Sequence, residues 1–389
     1  MTPDKPRILY VVASAMTARA FLLPHLRYLV RNAGLEVTVV CSPGPELEEL
    51  AGEDEISVIP VPIEREMAPL RDLVSLCRLV KVIRQVRPAI VNVATPKAGL
   101  LGAVAAWFVG VPHRIYSLFG LRLETTRGLK RLILLMCEKA ACRSSHIVLC
   151  VSESLRRRAV ELGLLESATA WVLPWAEALD LGRLGPSEDN WLRAYTLREQ
   201  FGLGREIPIV GYVGRLTRDK GIPELVAAYR ALRPSMPELR LLLVGDFEDG
   251  DPVAPKTRRA IEEDQGIIKT GFVPDAAPYY HLMNIMAFPS HREGFGRVPA
   301  EAAAAGVPVV ATRATGVVDA VVDGVTGLLV PVGDVEGLTE AVKRLLEDRE
   351  LAGRLALEGW ERVVRELQPE RIWGELVALY QTMLAAVPL

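Results

Sequence analysis

The chain has 389 residues, of which 50% are hydrophobic, 24% charged and 6% aromatic, and its formal net charge is −2. A chain this long and this apolar exceeds one ordinary hydrophobic core, so we expect two folded domains and not a disordered protein. The few aromatic residues, with no stacking motif among the basic residues, argue against a nucleic-acid partner. No run of 18 apolar residues predicts a membrane-spanning helix.

Short apolar segments alternate with helical stretches along the whole chain. In the first half they are residues 8–13, 37–41, 58–61, 90–93, 115–118, 147–151 and 170–173. In the second half they are residues 209–213, 239–244, 285–288, 307–311 and 328–330. Strands that are apolar on both faces and separated by helices are typical of parallel, doubly wound α/β sheets. We therefore predict two α/β domains, 1–184 and 185–369, joined near the linker-like segment 182–187.

The five cysteines all lie in the first half of the chain and form no CxxC pair. An odd number of cysteines in mostly apolar surroundings predicts reduced, structural thiols and a cytosolic protein. The five residues are Cys41, Cys77, Cys137, Cys142 and Cys150.

Positive charge is concentrated in the first half. Residues 65–158 contain 17 Lys and Arg against 5 Asp and Glu. One predicted helix carries cations every three residues opposite an apolar face, and a second cluster begins a later helix. This pattern predicts either the solvated faces of core helices or a surface that docks on an anionic membrane. The first helix has Arg78, Lys81, Arg84 and Arg87 opposite Leu73, Leu76, Val80 and Ile83, and the second cluster is Arg122, Arg127, Lys130 and Arg131.

Two carboxylates, Glu293 and Glu301, frame a glycine-flanked turn. The apolar stretch 285–289 before the turn predicts a buried strand, and Pro299 suits the first turn of a following helix over about residues 298–305. Glu293 is therefore expected on a loop and Glu301 on a helix.

The start of that helix should point toward the turn. Its free backbone N–H groups can receive a phosphate, while Gly294 and Gly296 allow a ligand to approach the main chain closely. Glu293 could then accept hydrogen bonds from sugar hydroxyls, and Glu301 from ribose hydroxyls. The alternative is that Glu301 only charges a helix start and Glu293 only caps a turn.

A second motif follows the predicted strand 209–213. The strand leads through Gly214 to two cations five residues apart, Arg215 and Lys220, before another helix opens. Arginine offers a bidentate fork and lysine a mobile point charge, so this arrangement predicts a clamp for a diphosphate. Solvated surface charges are the alternative.

Together these motifs resemble family 4 of the retaining, nucleotide-sugar-dependent glycosyltransferases, which have the GT-B fold. The resemblance covers about residues 205–335, with the motifs in the family's order. The matching segments are 211–216 with 220–221, 244–246, 271–273, 293–301 and 306–311. The resemblance implies two Rossmann-like domains facing across a cleft, and a helix at 370–386 that packs back onto the first domain.

The resemblance also implies a role for each matching residue. Arg215 and Lys220 would bind the donor diphosphate, Glu293 the transferred sugar, Glu301 the ribose, and the backbone around Val273 the base. The donor is expected to be a nucleotide diphosphate sugar, with UDP-sugars first, and no metal is expected to be essential. The remaining implied donor-site residues are Gly214, Gly294, Phe295, Gly296 and Val298.

Residues 95–102 and 120–131 resemble segments of bacterial capsule, exopolysaccharide and O-antigen glycosyltransferases. This resemblance implies a glycan acceptor, soluble or linked to polyprenyl diphosphate, and a peripheral protein at the inner face of the plasma membrane. The implied acceptor-binding residues are Thr95, Lys97, Phe119 and Arg122.

Two positions depart from the family pattern. Residues 14–17 replace a glycine-rich loop, and Phe119 stands where many members have histidine. Phe119 leaves open a non-catalytic protein that binds sugar nucleotides. A nucleotide-sugar 2-epimerase of the same architecture is a second alternative, which the Glu293 to Glu301 spacing disfavours. The pair Asp249 and Asp251 imitates the metal motif of a different glycosyltransferase fold, but its polar surroundings predict a turn.

Overall fold

A computed structural model describes residues 5–53, 55–64, 68–174 and 176–386, except for the side chains of residues 20 and 21. The chain divides into two compact units. One comprises the described residues up to Ala178 together with those from Pro369 onward, and the other runs from Leu179 to Gln368.

The division falls between Ala178 and Leu179, within the region 175–184 in which the boundary is expected from the sequence. The Leu179 N–H donates a hydrogen bond to the Leu367 carbonyl at 2.9 Å, which ties residues 179–184 to the second unit. Trp175, the first residue of the region in which we expected the boundary, lies outside the described residues.

The first unit contains a parallel sheet of seven strands among the described residues. In chain order its elements are β1 (Arg7–Ser14), α1 (Ala15–Thr17), a π-helical turn (Ala18–Leu22), α2 (Leu23–Ala33), β2 (Glu36–Ser42), α3 (Leu47–Ala51), β3 (Ile56–Pro60), α4 (Pro69–Val86), β4 (Ile90–Ala94), α5 (Pro96–Val109), β5 (His113–Leu118), a 3-10 helix (Arg122–Glu124), α6 (Gly128–Arg143), β6 (Ile147–Cys150), α7 (Glu153–Glu161), a 3-10 helix (Ser167–Thr169) and β7 (Ala170–Val172). The strand order is β3-β2-β1-β4-β5-β6-β7. The predicted strands of this half are confirmed.

The last helix of the chain belongs to this first unit. It spans Pro369–Ala385, and its Tyr380 hydroxyl lies 2.6 Å from the Tyr10 hydroxyl at the centre of β1. Asn92 of β4 donates to Tyr380 at 2.8 Å, and Ser117 of β5 donates to Asn92 at 2.8 Å. All four side chains are buried. Because buried polar groups are costly unless they are paired, this network fixes the helix at one position on the sheet.

The second unit contains a parallel sheet of six strands. Its elements are α8 (Leu181–Leu184), α9 (Glu188–Gln200), β8 (Ile209–Val213), α10 (Ile222–Leu232), β9 (Arg240–Val244), α11 (Pro255–Glu263), β10 (Ile267–Lys269), α12 (Ala277–Tyr280), β11 (Ile285–Phe288), α13 (Arg297–Ala304), β12 (Val309–Thr312), α14 (Val317–Ala320), β13 (Leu328–Val330), α15 (Val335–Glu347) and α16 (Arg349–Glu366). The helix Pro369–Ala385 is then α17. The strand order is β10-β9-β8-β11-β12-β13.

The sequence prediction missed β10. This strand has three residues, ends in a lysine and lies at the edge of the sheet, so it lacks the apolar run of a strand buried on both faces. In other respects the chain is an α/β protein with two doubly wound sheets, as predicted.

The cysteines are free, and Cys41, Cys142 and Cys150 are buried. Cys77 is exposed, which corrects the expectation that all five are structural, and Cys137 is half-buried. No helix in the described part of the chain is both long and apolar enough to cross a bilayer.

Both sheets reverse their strand order at one point. The reversal lies between β1 and β4 in the first unit and between β8 and β11 in the second. Ligands of open α/β sheets bind at the carboxyl ends of the strands beside such a switch point. The residues that follow β1, β4, β8 and β11 are therefore the candidates for ligand binding.

Candidate active site

In the second unit, the loops after β8 and β11 meet through an ion pair. The Lys220 ammonium lies 2.5 Å from a Glu293 carboxylate oxygen. The two side chains retain only 15% and 17% of their exposure, so both charges are largely removed from water. The structure thus brings together, at the switch point, Lys220, which was predicted to bind the diphosphate, and Glu293, which was predicted to bind the sugar.

A second ion pair holds the same two loops together. Arg292 lies 2.9 Å from a carboxylate oxygen of Asp219, and Thr217 donates to the other oxygen at 2.7 Å. Burial would raise the pKa of Asp219, but the hydrogen bond from Thr217 and the Arg292 cation lower it overall. Asp219 is therefore a fixed anion beside Lys220.

His291 adds a third link. Its backbone N–H donates to the Asp219 carbonyl at 2.9 Å, and its ring nitrogen Nε2 lies 3.0 Å from Glu224 in the first turn of α10. The hydrogen bond with Glu224 raises the pKa of His291 above its usual value. Burial would raise the pKa of Glu224, but the bond with His291 lowers it overall. The two groups therefore stabilise each other as an ion pair.

These links require close packing of the two backbones. Gly221 has φ +71°, and a Cβ atom there would lie 2.0 Å from the Pro289 carbonyl oxygen. A side chain at position 221 would therefore push α10 away from the end of β11 and separate Lys220 from Glu293.

Arg215 lies on the same loop as Lys220 but pairs with a different carboxylate. Its guanidinium binds Glu248, which follows β9, and its side chain is half exposed. The Tyr212 hydroxyl donates to the Arg215 carbonyl at 3.1 Å and fixes the turn at Gly214. The predicted clamp is thus two cations on one loop, each held by its own carboxylate.

Helix α13 begins at Arg297, one residue before the predicted start. Its N-cap is Gly296, whose φ of +96° lies in the region that favours glycine. Gly296 and the preceding Phe295 are buried, whereas Gly294 and Val298 are half-buried. The first-turn N–H groups have no carbonyl partner within the helix, and Pro299 has no N–H, so the helix start can receive an anion.

Glu301, one turn into α13, has both carboxylate oxygens engaged. Tyr280 donates to one at 2.8 Å and Arg297 to the other at 3.0 Å. Each carboxylate oxygen can accept a further hydrogen bond. Glu301 is therefore oriented by its neighbours and keeps acceptor capacity.

Two other predicted features follow β10 and β9. Val273 follows β10 and is half-buried, next to Phe272, whose side chain is 77% exposed. Asp251 accepts from the Asp219 N–H at 2.7 Å and pairs with Arg218 at 3.2 Å, which makes it a loop support. Among the described residues, no three His, Cys, Asp or Glu side chains group as a metal site would need.

In the first unit, Thr95 directly follows β4 at the switch point and has a rare backbone conformation. Its φ of +68° and ψ of 147° are sparsely populated by any residue with a side chain. Its hydroxyl is buried and has no hydrogen-bond partner among the described residues. Lys97, two residues later, binds Asp72 of α4 at 2.8 Å. Strain and a buried, unpaired hydroxyl together mark a site that has not been optimised for stability.

The other predicted acceptor residues follow the neighbouring strand β5. Phe119 comes directly after β5 and is half-buried, and Arg122 opens the 3-10 helix Arg122–Glu124. Because β4 and β5 are parallel neighbours, Thr95 and Phe119, which directly follow them, lie at the same edge of the sheet. At the end of β1, Ser14 accepts from the Thr17 N–H and caps α1, so a capped helical turn stands where family members often have glycines.

Sequence reasoning missed the residues that hold the predicted ones in place. They are Asp219, Glu224, Glu248, Tyr280 and Arg292. Their spacing carries no local signal, because each meets its partner only after distant strands pair.

Each half of the chain matches a family model of glycosyltransferases. The family model described as glycosyl transferases group 1 matches residues 207–348, which include the Lys220–Glu293 pair. The model described as glycosyl transferase 4-like domain matches residues 23–175, which include Thr95 and Lys97.

One relative matches nearly the whole chain. The capsular polysaccharide biosynthesis glycosyltransferase CapM of Staphylococcus aureus is 33% identical over 356 residues, which cover 91% of this chain and 92% of CapM.

Two solved structures share the fold. HepE of Anabaena, in complex with UDP and glucose, has a TM-score of 0.80 and 20% identity, and the match covers 97% of this chain and 100% of HepE. Sucrose-phosphate synthase of Thermosynechococcus elongatus has a TM-score of 0.79 and 23% identity over 98% of this chain and 100% of that enzyme. The fold is thus GT-B. With the two family models and the CapM identity, the chain belongs to glycosyltransferase family 4 and is a glycosyltransferase.

Proposed function

We propose that the protein transfers a hexose or N-acetylhexosamine from a nucleotide diphosphate sugar, with retention at the anomeric carbon and without an essential metal. The acceptor is a glycan, soluble or linked to polyprenyl diphosphate, in the synthesis of a cell-surface polysaccharide. The observation that carries this proposal is the Lys220–Glu293 ion pair at the β8/β11 switch point, beside the start of α13.

In this mechanism the bond between the anomeric carbon and the diphosphate breaks while the acceptor oxygen bonds to the same face of that carbon. The acceptor's proton passes to an oxygen of the departing phosphate, so no separate protein base is needed. Negative charge develops on the diphosphate. Lys220, Arg215 and the α13 N-terminus would stabilise it, because preorganised positive groups act most strongly where charge develops.

The remaining donor residues would bind and orient. Glu293 would accept hydrogen bonds from hydroxyls of the sugar and would not act as a nucleophile. Lys220, which Glu293 holds in place here, would gain the diphosphate as a further partner, since an ammonium has three donors. Glu301 would accept from the ribose hydroxyls, and the main chain near Val273 would contact the base.

The acceptor would be bound in the first unit by Thr95, Lys97, Phe119 and Arg122. The buried Thr95 hydroxyl supports this placement, since it lies at the switch point with an unused hydrogen-bonding capacity. The name of the CapM relative supports a surface polysaccharide as the product. For a lipid-linked acceptor the protein would work at the inner face of the plasma membrane, as a peripheral protein on anionic lipid.

A thermal-shift panel followed by a transfer assay tests the proposal. A ligand that binds only the folded protein stabilises it by RT ln(1 + [L]/Kd), about 2.7 kcal/mol at 100 times Kd. UDP-sugars stand first in the panel because HepE, which shares this fold, was solved with UDP and glucose. We expect one nucleotide sugar to raise Tm, and Lys220→Ala to abolish the rise.

Transfer is then measured with labelled donor and polyprenyl-diphosphate-linked or alkyl-linked saccharides, with and without EDTA. Transfer with a retained anomeric configuration, unchanged by EDTA, is expected. Epimerised donor formed without any acceptor would contradict the proposal, and so would activity that EDTA abolishes and Mg²⁺ or Mn²⁺ restores.

A further inference from the structure

Helix α6 in the first unit exposes an apolar stripe to solvent. Leu129, Leu132, Ile133 and Met136 recur at the spacing of one helix face, and 40% to 73% of each side chain is exposed. The opposite face buries Glu138, Ala141 and Cys142 in the unit. A helix of a globular protein normally turns its apolar face inward, so this stripe has no counterpart in the described part of the unit.

Helix α4 contributes a second set of exposed apolar residues. Leu70, Leu73 and Val74 are 83%, 58% and 49% exposed. The sequence had placed Leu73 on the buried face of this helix. The structure corrects that, because the buried positions of α4 are Ser75, Leu79, Val82 and Ile83.

The two sets lie on helices that both pack against α5. Asp72 of α4 binds Lys97 at the start of α5 at 2.8 Å. We call the seven exposed residues the apolar face; they are Leu70, Leu73, Val74, Leu129, Leu132, Ile133 and Met136.

Cations border the apolar face. Leu73, Val74 and Cys77 line a groove of about 410 Å³ together with Arg78 and Lys81. Arg127, Lys130 and Arg131 lie at the start of α6. No carboxylate in the described ranges forms an ion pair with any of these five cations. An apolar centre with an unneutralised cationic border is the pattern of surfaces that lie in the interface of an anionic bilayer.

We infer that the apolar face inserts into the headgroup region of an anionic lipid bilayer, with the bordering cations against lipid phosphates. The charge pattern favours this occupant over a second copy of the chain, whose identical cationic border would repel the first. The inference goes beyond the proposed function, because it locates the contact and makes it apolar as well as electrostatic.

The position of the apolar face also determines where a lipid-linked acceptor would reach the protein. This conclusion rests on the proposed function. Asp72 links the apolar face directly to Lys97, an implied acceptor residue. A bilayer on this face would therefore bring a lipid-linked acceptor to the switch point of the first unit.

Flotation of the full chain with vesicles tests the inference without any substrate. Vesicles of phosphatidylcholine with 30% phosphatidylglycerol are compared with phosphatidylcholine alone. The wild type should float with the anionic vesicles at low salt and keep part of its binding in 0.5 M salt, because apolar insertion is not screened by ions.

Leu132→Gln with Met136→Gln should lower binding at least tenfold. The matched control, Trp191→Gln with Leu192→Gln, changes two residues of the second unit that are 59% and 64% exposed, and it should bind like the wild type.

Absence of wild-type binding to the anionic vesicles would overturn the inference, as would equal binding of the Leu132/Met136 variant. A dimer that this variant converts to monomer, without vesicle binding by either protein, would make a second copy the occupant and would also overturn it. Tm and the donor-induced thermal shift of each variant show that it is folded. Since both can be normal when flotation fails, this failure is distinct from a failure of the proposed function.

Discussion

Lys220 and Glu293 lie 73 positions apart in the sequence, yet their charged groups are 2.5 Å apart in the structure. Each follows one of the two strands that flank the switch point of the second sheet. A largely buried cation needs a compensating anion, so Glu293 holds Lys220 in place at the site proposed for the donor. The same pair explains why two motifs that are distant in sequence form one site.

Replacing either of the two cationic residues proposed to bind the donor diphosphate should lower turnover. We expect Lys220→Ala and Arg215→Ala each to reduce the transfer rate by about 10²-fold or more, the scale of removing one preorganised charge from a transition state. The rate of nucleotide diphosphate release at saturating donor measures this. Arg218→Ala is the matched control, because Arg218 lies on the same loop but is 68% exposed and pairs with Asp251. Rates within about threefold of wild type for the first two variants, with folding intact, would remove both residues from the active site.

The His291–Glu224 pair predicts a pH-dependent contribution to stability. Because the pKa of His291 is raised, its contribution is complete below about pH 6.5 and is lost as pH rises through the folded-state pKa. Because the pKa of Glu224 is lowered, its contribution is present above about pH 4.5 and is lost as pH falls further. His291→Gln should therefore lower the free energy of unfolding most between pH 4.5 and 6.5, by about 1–2 kcal/mol, and less toward pH 9.

Thermal unfolding of wild type, His291→Gln and Glu224→Gln across this pH range checks the prediction. Glu224→Gln should also cost less toward pH 9, since it removes the anion that raises the pKa of His291. A destabilisation that does not change with pH would mean that the histidine contributes through packing and not through its charge.

The order of strands and helices could be predicted because apolar runs of four to eight residues, separated by helical stretches, are a local property of the chain. The acidic turn at Glu293 and the cations at Arg215 and Lys220 were found for the same reason, since each lies within one short segment. The edge strand β10 was missed because its three residues, one of them a lysine, do not form such a run.

The residues that pair with the predicted site residues could not be predicted, because these contacts depend on how the strands pair. Nothing near Arg215 in sequence indicates Glu248, and nothing near Glu301 indicates Tyr280. Helical periodicity also failed for α4, where it placed Leu73 in the core. Periodicity identifies a helix face, but it does not say whether the protein itself covers that face.

Glu138 of α6 should make the protein less stable as pH rises. Burial raises its pKa to about 7 even though Tyr116 donates a hydrogen bond to it at 2.7 Å. Between about pH 4.5 and 7 the unfolded chain loses this proton while the folded chain keeps it, so the free energy of unfolding falls with pH, by about 3 kcal/mol in total. Glu138→Gln keeps an acceptor for Tyr116 and avoids the buried charge.

The Tm of Glu138→Gln relative to wild type should therefore increase from pH 5 to pH 8. Glu166→Gln, which changes an exposed carboxylate of the same unit, is the control and should show no such trend. Parallel Tm curves for wild type and Glu138→Gln would contradict the raised pKa.

Thr95 is expected to lower the thermal stability of the protein and to contribute to acceptor binding. Its backbone conformation costs about 1–3 kcal/mol, and its buried hydroxyl, unpaired among the described residues, costs about as much again. Thr95→Gly removes both costs, and glycine loses about 0.5–1 kcal/mol through chain entropy. We expect Tm to rise by about 2–8 °C while transfer to the acceptor falls at least tenfold, because the hydroxyl that would bind it is gone.

Two variants separate these effects. Thr95→Ala removes the hydroxyl but keeps the strain, so its Tm should rise less while its transfer falls equally. Arg87→Gly changes the other described non-glycine residue with positive φ, which caps α4 away from the strand ends, and it should leave transfer unchanged. Donor-induced thermal shifts should be the same in all three variants. If Thr95→Gly kept full transfer activity, the strained turn after β4 would be a structural feature, and acceptor recognition would have to depend on Lys97, Phe119 and Arg122 alone.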